Sequence, residues 1–346
     1  MNLQTPPAPH IASGNSVSRV MRRVLLALVP GVLAMTVLFG WGVLINILVA
    51  VAVAVATETA MLRLRGRPVQ LFLRDWSAVV TAVLLALALP PLLPAWITAV
   101  GVSFGLVFGK HLYGGLGYNP FNPAMVGYVV LIIAFPQAMT QWLPPTALGD
   151  APLDLLDTLR TTFTGGLPDS LPLDAISHAT PLDHVRTGLA EGRALGDLGG
   201  GGLVGMLAEG GWVWINLLFL AGGAWLLWMR VIRWQIPVGV LAGLAVPALV
   251  FWAVNPDQYL SPLFHLLSGG AMLGAFFIAT DPVSAATTPR GRLLFGLGIG
   301  LLTWVIRTWG GYPDGIAFAV LLMNMTVPLL DRYTRPRIFG HGGGTP

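Results

Sequence analysis

The fold class predicted is an all-α integral membrane protein of about ten transmembrane helices, in two inverted five-helix repeats with a long outer loop between them. Three observations predict it. The 346 residues are 55% apolar and only 10% charged, with a mean hydropathy of +0.75, well outside the range of soluble domains. Apolar stretches near the roughly 20 residues that cross a hydrocarbon core recur along the chain. Five of them precede one long polar loop and five follow it, and because five is odd the second half must enter the membrane from the opposite face.

In order, the spans are 22–39, 41–61, 76–93, 95–110, 122–139, 211–229, 236–254, 262–279, 292–309 and 313–330. The fourth is short and carries Gly101, Gly105 and Gly109, so a broken or re-entrant helix is expected there. The polar start, Met1 to Ser18, lacks a small-residue cleavage site after the first apolar run and reads as preceding an uncleaved anchor. The organisation is then a tail over 1–21, a membrane repeat over 22–139, a loop over 140–210, a second repeat over 211–330 and a tail over 331–346. A faint echo links the halves: Gly114-Gly115-Leu116-Gly117-Tyr118-Asn119-Pro120 opens the fifth span and Gly310-Gly311-Tyr312-Pro313-Asp314-Gly315 the tenth.

Orientation follows from the basic residues. With the N-terminus inside, 15 of the 19 Lys and Arg residues fall in inner segments, leaving Arg160, Arg186, Arg193 and Arg307 outside. The positive-inside rule therefore puts both termini in the cytoplasm and the 140–210 loop, with nine carboxylates against three arginines, on the outer side. Membrane topology accounts for the basic balance, and no nucleic-acid partner is implied. Without cysteine the chain can hold no cysteine-ligated iron–sulfur cluster, disulfide or thiol nucleophile. Its six histidines are scattered and build no metal-site pattern. Glu58, Asp75 and Lys110 lie near helix ends, where snorkelling to the interface is expected although intramembrane charge is a functional signal by default.

Three polar motifs remain. Asn119-Pro120-Phe121-Asn122-Pro123 stands at the entrance of the fifth span, and Thr280-Asp281-Pro282-Val283-Ser284 between the eighth and ninth on the same face. Either can be a simple helix cap, or an interrupted helix presenting free N–H groups and amides to a polar ligand at membrane depth. In the outer loop, Thr180-Pro181-Leu182-Asp183 has the form of a helix start with Thr180 as N-cap, and a phosphodiester on that hydroxyl would meet the positive end of the helix.

The segment Asp174-x-x-Ser177-x-Ala179-Thr180 resembles the flavinylation motif of the NqrB/RnfD family, with His178 where that family usually has glycine. The family comprises the D subunit of the Rnf ion-translocating oxidoreductase and the B subunit of the related sodium-pumping NADH:quinone oxidoreductase. Phe121-Asn122-Pro123-Ala124-Met125, Phe277-Ile278-Ala279-Thr280-Asp281-Pro282-Val283-Ser284, Thr288-Pro289-x-Gly291-Arg292 and Tyr312-Pro313-x-Gly315 resemble other segments of the same family. The resemblance implies a bacterial inner-membrane component of a redox-driven Na⁺ or H⁺ translocase of the ferredoxin/NAD type, not catalytic alone. It implies FMN joined through its phosphate to Thr180 by a flavin transferase, with Asp174 and Ser177 part of the motif. It also implies a noncovalent riboflavin nearer the inner face, for which Asn119, Asn122 and Asp281 are the candidate ligands. Partner subunits would carry the iron–sulfur clusters and a second flavin. A solute channel or secondary transporter without redox function is the alternative that the inverted repeat alone would fit equally well.

Overall fold

The computed structural model describes residues 16–145, 153–166, 179–198, 205, 207, 210–312 and 314–335, which are helices and connecting turns. Ser16 opens α1 (Val17–Phe39) by accepting a hydrogen bond from the Arg19 amide on its hydroxyl, and Gly40, at φ 78°, ends it in a conformation that favours glycine. α2 (Gly42–Leu64) returns directly. The short α3 (Val69–Leu73) leads to α4 (Ser77–Ala86), which is followed by α5 (Ala95–Gly109), α6 (Pro123–Ala134) and α7 (Pro136–Thr140). Between α7 and the second half lie α8 (Leu155–Thr164) and α9 (Pro181–Ala190). The second half comprises α10 (Trp212–Trp228), α11 (Gln235–Val254), α12 (Pro262–Leu267), α13 (Ala271–Leu273) with the π turn Gly274–Ile278, α14 (Pro289–Trp309) and α15 (Ile316–Tyr333).

Among the described residues, six helices are long and apolar enough to cross a membrane: α1, α2, α5 extended to Tyr113, α11, α14 and α15. Large apolar side chains on their outer surfaces, such as Leu33, Leu48, Val246 and Met325, stay exposed, as a lipid-facing surface requires. The other expected spans have a different form. α4 and α6 are short, α10 has 17 residues, and the eighth span is split into α12 and α13 by Ser268-Gly269-Gly270. The predicted break in the fourth span is absent, since α5 runs on into a 3₁₀ turn at His111–Tyr113. Its glycines serve packing. A Cβ on Gly105 would strike the Pro123 carbonyl, one on Gly109 the Pro123 backbone and one on Gly101 the Leu131 side chain, so these positions let α5 and α6 come into backbone contact. Gly239, Gly243, Gly296 and Gly300 do the same where α11 meets α14.

The helix ends need internal partners, because a buried backbone group without one costs free energy in lipid. Asparagines supply them. Asn46, fully buried in α2, donates to the carbonyls of Pro90 (2.8 Å) and Pro91 (3.2 Å), where the chain leaves α4. Asn216, fully buried in α10, donates to Leu267 (3.0 Å) and Gly269 (3.3 Å) and accepts from the Met272 amide (3.3 Å), spanning the break between α12 and α13. Within each half the helices pack as α2 on α4 and α5, α5 on α6, α11 on α12 and α14, and α14 on α15. Across the halves α1 packs on α10 and α6 on α15.

Candidate functional site

The bundle has two ends, a loop end that carries α8 and α9 and a basic end that carries most of the arginines, and each contains a cavity. At the loop end, Thr180 caps α9 as its sequence predicts: the backbone is extended (φ −61°, ψ 156°), Oγ1 accepts from the Asp183 amide at 3.3 Å, and Pro181 occupies the first helical position. Leu182 and Val185 anchor the helix in the main core. The half-buried Thr180 lines a cavity whose space of about 940 Å³ includes open solvent. Its wall is mostly apolar and aromatic, with Tyr128, Trp142, Trp212 and Phe219, and includes the helix break at Gly269 and Gly270. Trp142 and Trp212 form a triangle of rings with Phe39, each pair of centroids 5.6 to 5.7 Å apart. Asp174 and Ser177 lie outside the described residues.

The break in this wall is held by a charge pair whose arginine is buried and whose aspartate is half-buried. Asp314 Oδ2 accepts from the Gly270 amide at 2.8 Å and from Arg307 Nη2 at 3.1 Å, while Arg307 also donates to the carbonyls of His265 (2.6 Å) and Ser268 (3.3 Å). The basic count places Arg307 among the loop-end segments, but its side chain is fully buried and serves as a fastener between helices.

At the basic end a second cavity, whose space of about 770 Å³ includes open solvent, is lined by Asn119, Asn122 and Asp281 together. The chain brings these residues into one site across more than 150 positions. Asn119 Oδ1 is buried and has no partner. Asn122 is occupied throughout: Oδ1 accepts from the amides of Ala124 (3.0 Å) and Met125 (3.3 Å), and Nδ2 donates to the Ile278 carbonyl at 3.1 Å. Its own N–H donates to Asn324 Oδ1 at 3.1 Å, and Asn324 Nδ2 donates to the Ser284 carbonyl at 3.0 Å. Asp281 caps the turn that follows it, accepting from the Ser284 amide (3.1 Å) and hydroxyl (2.7 Å). Burial pushes the Asp281 carboxyl above the usual carboxylate range, and the Ser284 bonds only partly oppose this.

Behind the same cavity sits a cluster that the sequence reading places at the interface and the structure buries. Lys110 Nζ, which borders the cavity, donates to Glu58 Oε1 at 2.8 Å and to Ser77 Oγ at 2.9 Å, and His111 Nε2 lies 2.9 Å from Glu58 Oε2. Neither Glu58 nor Lys110 snorkels. Each finds its opposite charge 52 residues away, which no local pattern reveals. Asp75 does stay near the surface, half-buried, and caps α4 through the Ser77 amide at 2.7 Å. The sequence reading also misses Asn46, Asn216 and Asn324. Their signal was available, since an asparagine within an apolar helix must find partners inside the protein.

This arrangement defines a class: a multi-pass helical membrane protein whose interrupted helices enclose a cavity at each end. The chain belongs to the NQR2, RnfD, RnfE family, whose model matches residues 4–340. It is 53% identical to the D subunit of the ion-translocating oxidoreductase complex of Alcanivorax borkumensis, over 99% of this chain and 98% of that protein. The proteins of the same name from Yersinia pseudotuberculosis (51%, over 99% of each chain) and Escherichia fergusonii (50%, over 97% of this chain and 98% of that one) are similar to the same degree.

Proposed function

We propose that this chain is the membrane subunit of a redox-driven ion-translocating oxidoreductase complex, relaying electrons through FMN esterified to Thr180 and through a noncovalent riboflavin in the basic-end cavity. It is a component of the translocase and not a catalyst alone. Its relatives are named as the D subunit of such a complex, and the identity to them extends over nearly the full length of both chains. The observation that carries the flavin reading is the placement of Thr180. Its hydroxyl stands at the N-terminus of a ten-residue helix, whose positive end favours a phosphodiester, and it opens on an aromatic-lined cavity. A flavin, when bound, supplies one-electron transfer, and the protein's residues position it and exclude water. At the basic end, the unpartnered Asn119 Oδ1 and the Asp281 carboxyl suit the N–H and O–H groups of a flavin ring and polyol. Asn122, with every polar atom engaged, shapes that cavity by holding its wall.

In the membrane, the fold is read as ten crossings in two inverted repeats. The reading is supported by the pairing across the halves: the first helix of one half meets the first of the other, α1 with α10, and the fifth meets the fifth, α6 with α15. The distribution of basic residues orients the chain with both termini in the cytoplasm of a bacterial inner membrane and Thr180 outside. A flavin transferase loads Thr180, and other subunits of the complex bring the iron–sulfur clusters and a second flavin.

Mass spectrometry of the peptide containing residues 177–186, from cells that express the transferase, tests the assignment. FMN mass on Thr180 is expected, and Thr180→Ala should yield an assembled protein without it, since loss of the cap costs only about 1 kcal/mol. An unmodified Thr180 refutes the assignment of covalent FMN to this residue.

A further inference from the structure

The helix α8 turns its polar side inward and its apolar side outward. Its ends are set locally: Asp154 Oδ1 accepts from the Asp157 amide at 2.7 Å, and Gly165, at φ 71°, closes the last turn. At about 100° per residue, the side chains between these ends fall into three separate arcs. Thr158, Thr161 and Thr162 form one arc and are buried, and α8 packs against α2 and α5. Leu155, Leu156, Leu159 and Phe163 form the second, in which Leu155, Leu156 and Phe163 are 47%, 73% and 62% exposed. Asp157, Arg160 and Thr164 form the third, on the remaining flank, and Arg160 and Thr164 are exposed. A helix on the surface of a soluble protein directs its apolar stripe to the core. In α8 the core side holds threonines, and Thr161 and Thr162 Oγ1 have no partner among the described residues. The apolar arc must find its burial outside the chain.

The surroundings of α8 indicate what covers that arc. Both helices beneath it are long and apolar enough to cross a membrane, and near their loop-end starts they expose Trp41 and Leu48 (α2) and Trp96 and Val100 (α5). Trp214 at the start of α10 and Trp309 at the end of α14 are exposed at the same end, as the aromatic side chains of a membrane–water interface are. Three arcs, one facing protein, one apolar and one charged, match a helix lying where protein, lipid and water meet. A protein partner suits the apolar arc less well, because its four side chains fall far short of the roughly 20–30 residues per side of a stable protein interface.

We propose that α8 is an interfacial helix lying in the surface of the bilayer at the loop end, with phospholipid covering Leu155, Leu156, Leu159 and Phe163 and water meeting Asp157, Arg160 and Thr164. It fastens the loop that carries Thr180 to the membrane, and does so whether or not a flavin is bound.

The test uses the intact complex in its native membrane. The photoreactive residue p-benzoyl-phenylalanine replaces Leu156, Phe163 or, as the water-facing control, Arg160, and irradiated peptides are identified by mass spectrometry. Phospholipid adducts are expected at 156 and 163 and not at 160. An adduct to another subunit or to another segment of this chain at 156 or 163, or the lack of a lipid adduct at both, overturns the proposal. A second measurement covers variants that fail to assemble. The chain has no cysteine, so Leu156→Cys, Phe163→Cys and Arg160→Cys each accept a single nitroxide label in the full chain in lipid nanodiscs. Collisions with oxygen should dominate at 156 and 163, and collisions with an aqueous nickel complex at 160. The same preference at all three positions overturns the proposal.

Discussion

Replacing Asn122 by alanine removes two separate functions, and the structure gives a magnitude for each. The side-chain oxygen that caps α6 at the Ala124 and Met125 amides is lost, at about 1 kcal/mol. The Ile278 carbonyl then loses one of its two donors and keeps the Asp281 amide at 3.3 Å, so the loss is that of one ordinary hydrogen bond, about 0.5–1.5 kcal/mol. Asn122→Ala should therefore lower stability by about 1.5–2.5 kcal/mol. Asn122→Asp separates the two contributions: the cap acceptor stays, but an oxygen now faces the Ile278 carbonyl, so the bridge is lost while the cap remains. Equilibrium unfolding in mixed detergent micelles, followed by tryptophan emission, measures both. If Asn122→Ala stays within about 0.5 kcal/mol of the wild type, or Asn122→Asp is as stable as the wild type, the bridge between α6 and the π turn carries no energy and the reasoning fails.

The same assay applies to the buried ion pair. Glu58→Leu strands the Lys110 charge and should cost about 3–5 kcal/mol, whereas Glu58→Leu with Lys110→Met should recover most of that loss, and equal destabilisation of the two variants would contradict the pairing. Close approach of α1 and α10 depends on Gly222, where a Cβ would collide with the Ala27 carbonyl. Gly222→Val should thus destabilise by at least about 1–3 kcal/mol and broaden the size-exclusion profile, an effect whose absence would show that the two helices do not pack through this glycine.

Local chemistry made part of this molecule readable. Polar-residue–proline pairs mark real helix starts at Asn122-Pro123, Thr180-Pro181, Ser261-Pro262 and Thr288-Pro289, because the cap oxygen and the missing proline N–H act within four residues. The gathering of Asn119, Asn122 and Asp281 around one cavity was legible as a shared face of the membrane. Their division of labour was not: Asn122 and Asn119 differ in role because Ile278 and Asn324 lie next to the first and not the second, and those partners are 156 and 202 residues away. The glycines of α5 misled for a related reason. Glycine weakens a helix and also permits close contact with a neighbour, and only the neighbour, here α6, decides between the two. Arg307 counted as a topological charge because its partner Asp314, although seven residues away, acts through a helix break that the apolar run around 262–279 conceals.

The two cavities share a wall. Ile278 faces the loop-end cavity and its neighbour Phe277 the basic-end cavity, while Met125 and Asn122 stand on the corresponding sides of the α6 start, all joined through the Asn122–Ile278 hydrogen bond. Thermodynamic linkage then makes each compartment a sensor of the other. An occupant that displaces this partition alters the affinity across it, and the second occupant must alter the affinity of the first by the same factor. A reciprocity of this kind needs no long chain of intermediaries, because the coupling distance is the thickness of one layer of side chains.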